Sequence, residues 1–254
     1  MNSASVLRHQ VNFDLLIFRR NPAGAFFTVV LPLIFLVIFT AIFGNNELPD
    51  GAKVSTLYVP GILALAVVSA TTVNLAITMT ARRERGVLKR LRGTPIAPYV
   101  FVLSQAITGF VISLLMTVLI VTLGWVLFGV AMNWATVPAL LITLVVGAGG
   151  LAALGLGMTA LIPSEDAAPA VTNAIMLPLY FISGVFVPES EVPSWVTSVA
   201  KLFPVYHLNH ALQGSFDPFL EGSWWPLDHW LVLLAWGAVG LLVTIRFFRW
   251  VPRR

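Results

Sequence analysis

Six stretches of this chain are long and continuously apolar, and they restrict the fold more than anything else in the sequence. They cover residues 25–43, 57–80, 97–129, 135–162, 167–187 and 229–248. Each reaches the roughly 20 residues that a helix needs to cross the hydrocarbon of a bilayer. With no water there to satisfy backbone groups, a spanning segment must be a helix or part of a closed barrel. The runs do not alternate with period two, which rejects the barrel. Only 10% of the residues are charged and 58% are hydrophobic, whereas a soluble domain carries about 25% charged residues. The chain therefore reads as an all-α membrane protein, a single transmembrane domain over 1–254 with six transmembrane helices. The first apolar run begins after about two dozen residues and shows no small-x-small cleavage pattern, so it reads as a retained span. Cysteine is absent, which excludes disulfides, thiol nucleophiles and cysteine metal sites.

Charge sets the orientation. If the N-terminus is cytoplasmic, the inner side holds 1–24, 81–96, 163–166 and the tail from Arg246. Of the 15 cations, 13 then lie inside, with only Lys53 and Lys201 outside. That asymmetry follows the positive-inside rule and makes both termini cytoplasmic.

Six of those cations crowd into "ARRERGVLKRLRGTPI", residues 81–96: Arg82, Arg83, Arg85, Lys89, Arg90 and Arg92. Read as a helix, the stretch places Arg82, Arg85, Lys89 and Arg92 on one stripe and Glu84, Leu88 and Leu91 on another. Gly93 and Pro95 would close it, with Glu84 near its positively polarised N-terminus. A basic loop that only fixes orientation and touches anionic lipid is the alternative.

Three segments together resemble one family. "RRERGVLKRLRGTPI" is similar to the cytoplasmic loop of ABC-2 type exporter permeases, and "FRRNPAGAFFTVVLPLIFLVIF" to their entry into the first span. "LPLYFISGVFVPESEVPSWVTSVAKLFPVYHLNHALQG" resembles the region that follows their fifth span, including Ser183, Gly184 and Pro188. The resemblance implies a bacterial inner-membrane permease, half of a pore, pairing with a second copy or a paralogue. It implies two copies of a cytoplasmic ATPase, which would supply ATP and Mg, docked on 81–96 as a coupling helix. The residues implied there are Arg83, Glu84, Gly86, Leu88, Leu91 and Pro95. It also implies an amphipathic N-terminal helix on the membrane surface and short re-entrant outer helices within 188–228. Val6, Leu7, Val11, Leu15 and Phe18 fit the first, and an apolar face of Val196, Val199 and Phe203 ended by Pro204 fits the second.

The chain has no Gly-rich phosphate loop ending in Gly-Lys-Ser/Thr, which ATP hydrolysis by this chain would need. The glycines of "GAGGLAALGLGM", 147–158, read as close helix packing. No cofactor is expected in this chain and no nucleic-acid partner. An ion-coupled carrier is the competing class, but the spans carry essentially no acidic or basic relay. Catalysis is weaker still: His207 and His210 lack a third metal ligand, and no base is placed to activate Ser183.

The family resemblance puts the subunit interface and cargo path along the second and fifth spans. Candidates there are Thr71, Asn74, Thr78, Asn173, Met176, Tyr180 and Phe181. An interhelical hydrogen bond is an equally good reading of Asn74. Aromatic and thioether side chains suit a drug or lipid cargo; export of a polysaccharide or lipid-linked glycan is the alternative within the family. Trp224, Trp225 and Trp230 read as an interfacial collar.

Overall fold

The computed structural model describes residues 3–44, 46, 51–92 and 98–247. Its helices are α1 (Ser3–Arg20), α2 (Pro22–Phe43), α3 (Ser55–Glu84), α4 (Val87–Arg92), α5 (Pro98–Phe128) and α6 (Trp134–Met158). They continue with α7 (Ala168–Ile182), α8 (Ser194–Ala200), α9 (Pro204–Gln213) and α10 (Leu227–Phe247). No strand occurs among the described residues. Pro95 and Gly93 lie outside the described residues.

Local chemistry sets several boundaries. Asn21 caps α2 by accepting from Gly24 N at 3.1 Å, with Pro22 in the first helical position, where its missing N–H is harmless. The second expected span lengthens at its basic end: α3 continues to Glu84 and stops because Gly86 takes φ +69°. The cationic stretch is therefore not one helix. Glu84 ends α3 instead of opening a helix of its own, and α4 starts anew at Val87. The stripe Arg82, Arg85, Lys89, Arg92 is broken between its second and third members.

Five helices are long and apolar enough to cross a membrane: α2, α3, α6, α10 and Val100–Phe128 of α5. The expected span 167–187 is helical only over Ala168–Ile182, 15 residues, or about 22 Å at 1.5 Å per residue. Its flanks extend its reach. Glu165, just before it, pairs with Arg85, and Val185, just after it, lies against Gly61. In α3 those two contact points are separated by more than 20 helical residues, or about 36 Å.

Small residues let the helices approach closely. A Cβ on Gly150 would stand 2.6 Å from the Leu233 carbonyl oxygen, and one on Gly240 2.6 Å from the Ala153 carbonyl oxygen, so α6 and α10 meet backbone to backbone. α3 is buried for most of its length and carries a π-helical turn at Ser69–Val73. Gly155 of α6 abuts that turn, and Thr72 Oγ1 donates to the Leu151 carbonyl at 2.9 Å. The outward faces of α2, α5 and α10 carry exposed apolar side chains such as Ile42, Val118 and Ile245, as a lipid solvent requires.

At the end opposite the cations, α9 is wedged among α3, α6 and α10, with Val205, Leu208 and Leu212 fully buried. Leu208 touches Gly147, well inside α6. α8 differs from the expected apolar face over 193–203. Only Ala200 of α8 is buried, whereas Trp195 and Val199 are exposed. Gly240→Val should separate α6 from α10 and cost about 1–3 kcal/mol by overpacking. A clear fall in the thermal unfolding midpoint of the protein in detergent checks this.

Candidate functional site

Two of the cations of 82–90, Arg82 and Arg83, are built into the bundle, whereas Arg85, Lys89 and Arg90 are exposed. Arg82 is the first case. Its guanidinium reaches Asp14 of α1 at 2.7 Å, and Asp14 is only 4% exposed. Ser104 Oγ at 3.0 Å and Gln105 Nε2 on α5 also donate to that carboxylate, and Gln10 approaches it from α1. Arg82 further lies over the Phe101 ring at 5.3 Å. One desolvated acid thus ties α1, α3 and α5 together. Sequence reasoning missed Asp14; the signal was a lone acid within an amphipathic helix otherwise carrying basic charge.

Arg83 is buried to 1% exposure. It donates to the carbonyls of Thr159 at 3.0 Å, Ile162 at 2.9 Å and Pro163 at 3.4 Å. Those carbonyls follow the C-terminus of α6, where unsatisfied acceptors and the negative dipole end favour a cation. Glu84 accepts from Arg83 Nε at 3.3 Å and is half-buried. Arg85 is exposed and ion-pairs with Glu165, which raises the guanidinium's already high pKa through that hydrogen bond. Arg83 and Arg85 therefore clasp the turn between α6 and α7.

The apolar stripe of α4 is not free for a partner. Leu88 is fully buried in one cluster with Leu75, Met79, Phe101, Ala152 and Leu156. The new start after Gly86 rotates α4 so that Leu88 faces the bundle. Among the described side chains of α4, Lys89 and Arg90 are the exposed ones. The side chain of Leu91 lies outside the described residues.

The candidate path residues divide into three groups by burial. Thr71 is buried and donates to the Val67 carbonyl at 2.6 Å. Met176 and Tyr180 are buried as well, on the side of α7 that packs on the bundle. Asn74 and Thr78 are half-buried and bonded to each other at 3.4 Å. Asn173 and Phe181 are exposed, in a continuous stripe with Pro169, Ala174, Leu177 and Pro178. α3 thus offers a narrow half-open strip, whereas α7 offers a whole face.

The motif after α7 forms a buried turn. Gly184 takes φ +75°, which folds the chain so that Phe186 enters an aromatic cluster with Phe35, Phe39, Tyr180 and Phe181. Asn209 of α9 donates to the Ser183 carbonyl at 2.9 Å, and Pro188 precedes a short turn at Glu189–Glu191. His210 donates to Glu189 at 2.9 Å, which holds that carboxylate below its usual pKa, while burial pushes Tyr206 up to about 12. His207 bonds His229 at 2.9 Å. No group of three or more metal-ligating side chains fit to hold a metal ion occurs among the described residues. No base contacts the buried Ser183 hydroxyl.

Residues 9–216 match the profile of the ABC-2 type transporter family. The chain is similar to the putative transport permease YvfS of Bacillus subtilis, at 23% identity over 94% of this chain and 96% of the relative. It is similar to the daunorubicin resistance ABC transporter permease protein DrrB1 of Streptomyces coeruleorubidus, at 28% over 80% and 74%. It is also similar to the probable multidrug ABC transporter permease YbhR of Escherichia coli, at 21% over 66% and 47%.

Removing one member of a buried ion pair strands the other, at a cost of about 3–5 kcal/mol. Asp14→Ala should therefore destabilise the protein strongly. Arg82→Met added to it should cost less than the sum of the two single changes, which a thermal-unfolding double-mutant cycle in detergent measures.

Proposed function

The chain belongs to the ABC-2 type transporter family, and on that premise we propose that it is the membrane permease subunit of an exporter driven by a separate cytoplasmic ATPase. The observation that carries this reading is α4, packed on the bundle through Leu88 with a basic face outward. Its exposed Lys89 and Arg90 stand beside buried anchors, at the end of a bundle with no phosphate loop of its own. An ATPase bound to α4 and the exposed Arg85 would push on a helix held to the bundle by Leu88, so Leu88 serves coupling from inside the permease. Glu84 and Gly86 serve it by ending α3 and freeing α4. Two ATPase copies, binding ATP and Mg, and two permeases complete the assembly.

The orientation follows from the charge asymmetry, with α4 and both termini cytoplasmic in a bacterial inner membrane. The segment from Glu165 to Phe186 is then a sixth crossing, its short helix extended by the flanking turns. α9, dipping in from the outer side, is the re-entrant element, and α1 lies along the inner surface.

Cargo moves between the two permeases along α7. Its exposed face combines Leu177 and Phe181 with Asn173, the surface that an amphipathic or apolar molecule would wet. The names of two relatives, a daunorubicin resistance permease and a probable multidrug permease, support drug export over a sugar polymer. The strip at Asn74 and Thr78 adds polar contacts to one side of that path.

A tag on this chain should co-purify a cytoplasmic ATPase from native membranes. Lys89→Glu with Arg90→Glu should reduce that recovery at least tenfold while leaving the permease in the membrane, as immunoblotting of both subunits would report. Undiminished recovery would remove α4 from the docking surface.

A further inference from the structure

We infer that α9 is latched to α10 by a hydrogen-bonded pair of imidazoles, His207 and His229, and that acidification of the outer medium opens this latch. The placing of α9 on the outer side rests on the proposed function. The latch itself rests on the geometry of His207, His229, His210 and Glu189.

The proton positions follow from the acceptors. His207 Nε2 lies 2.8 Å from the Lys201 carbonyl oxygen, which can only accept, so that nitrogen carries a hydrogen. In a neutral imidazole the other nitrogen is then an acceptor. His207 Nδ1 is 2.9 Å from His229 Nδ1, so His229 donates from Nδ1. α9 and α10 are thus joined by one complete hydrogen bond between two uncharged rings. One added proton leaves the bond in place, because one of the two facing nitrogens still lacks a hydrogen. A second proton puts a hydrogen on both. Two like charges then face each other with no acceptor between them.

The tie on the other side of α9 responds in the opposite sense. His210 donates from Nε2 to Glu189 Oε1 at 2.9 Å, and a charged imidazole turns that contact into an ion pair with a stronger hydrogen bond. The bond from His210 holds the Glu189 carboxyl below its usual pKa, so the acceptor keeps its charge as the medium turns acidic. Asn209 grips the Ser183 carbonyl beside it. Acid therefore cuts a tie of α9 to α10 and tightens its tie to the turn after α7. The Trp236 indole still donates to the Leu202 carbonyl at 2.9 Å, ahead of α9, so the released helix pivots about its start.

The surrounding charges fit this response. The His210 and His229 rings are stacked with centroids 5.9 Å apart, so charge on His210 adds to the repulsion at the pair. Asp228 also faces His229, and Tyr206 and Lys201 face Glu189. Asp217 shares with His210 and His229 the wall of an open cavity, which gives protons access. α6 carries no ionisable side chain, and the outer halves of α3 and α7 carry only the phenols of Tyr58 and Tyr180, which stay neutral. Imidazole is the ordinary side chain that changes charge near neutrality.

Hydrogen–deuterium exchange of the full chain in detergent, read by mass spectrometry and corrected for the intrinsic pH dependence of exchange, tests the latch. From about pH 8 to about pH 4 the protection of the α9 amides should fall at least roughly tenfold, while the α6 segment around Gly150 stays protected. His207→Gln and His229→Gln each leave one imidazole facing an amide that can donate or accept, so neither pair can hold two charges. Both should lose the acid-induced change, whether the glutamine keeps α9 closed or leaves it open at both pH values. If one variant fails to fold, the other decides. Parental protection that does not fall overturns the inference, as does a fall of parental size in either variant. The exchange is read on the permease alone, so failure to recover an ATPase would sink the proposed function and leave the latch standing.

Discussion

Burying Arg83 is the commitment on which the cationic end of this protein depends. A guanidinium taken out of water is costly unless its donors are met, and the acceptors that meet them are the carbonyls of Thr159, Ile162 and Pro163 plus the Glu84 carboxylate. The same contact satisfies backbone carbonyls of the turn that follows α6. One side chain thus removes two penalties at once and fixes the end of α3 to the turn that follows α6. Arg82 and Asp14 repeat the solution between α3, α5 and α1. The charge that orients the chain in the membrane therefore also assembles that end of the bundle.

The rest of the bundle has to be held without a hydrophobic driving force between lipid-solvated helices. Close approach does that work where α6 meets α10 and where Gly155 meets the π-helical turn of α3. The consequence is an uneven structure. α3, α6 and α9 form a dense centre, and α7 leans on it with a whole face uncovered.

Much of this was legible in the sequence, because length and continuous apolarity report helices directly and because the small residues of 147–158 read as close helix packing, which Gly150, Gly155 and Gly157 provide. α3 and α10 fell within a few residues of the expected bounds. Three features were hidden for physical reasons. Gly86 looked like one more residue of an amphipathic helix, and only its positive φ exposes the break that turns Leu88 inward. Asp14 stood out only as a lone acid in a basic helix, and no spacing joined it to its partners Arg82, Ser104 and Gln105, which lie far along the chain. The short helix of 167–187 could not be foreseen from hydropathy, which does not register that Ser183 and Gly184 turn the chain while staying buried or half-buried. The path candidates on α3 and α7 shared polarity and size, and their burial, which separates Thr71 and Met176 from Asn173 and Phe181, is a tertiary property.

The central claim is that the cationic end, clasped by Arg82, Arg83 and Arg85, faces the cytosol, with the end carrying α8 and α9 outside. Since the chain lacks cysteine, Lys89→Cys and Lys201→Cys each provide one exposed thiol for a membrane-impermeant maleimide. In intact cells the label should reach only the thiol at position 201, and the thiol at position 89 should react only after the membrane is opened. Labelling of position 89 from outside intact cells would contradict the account.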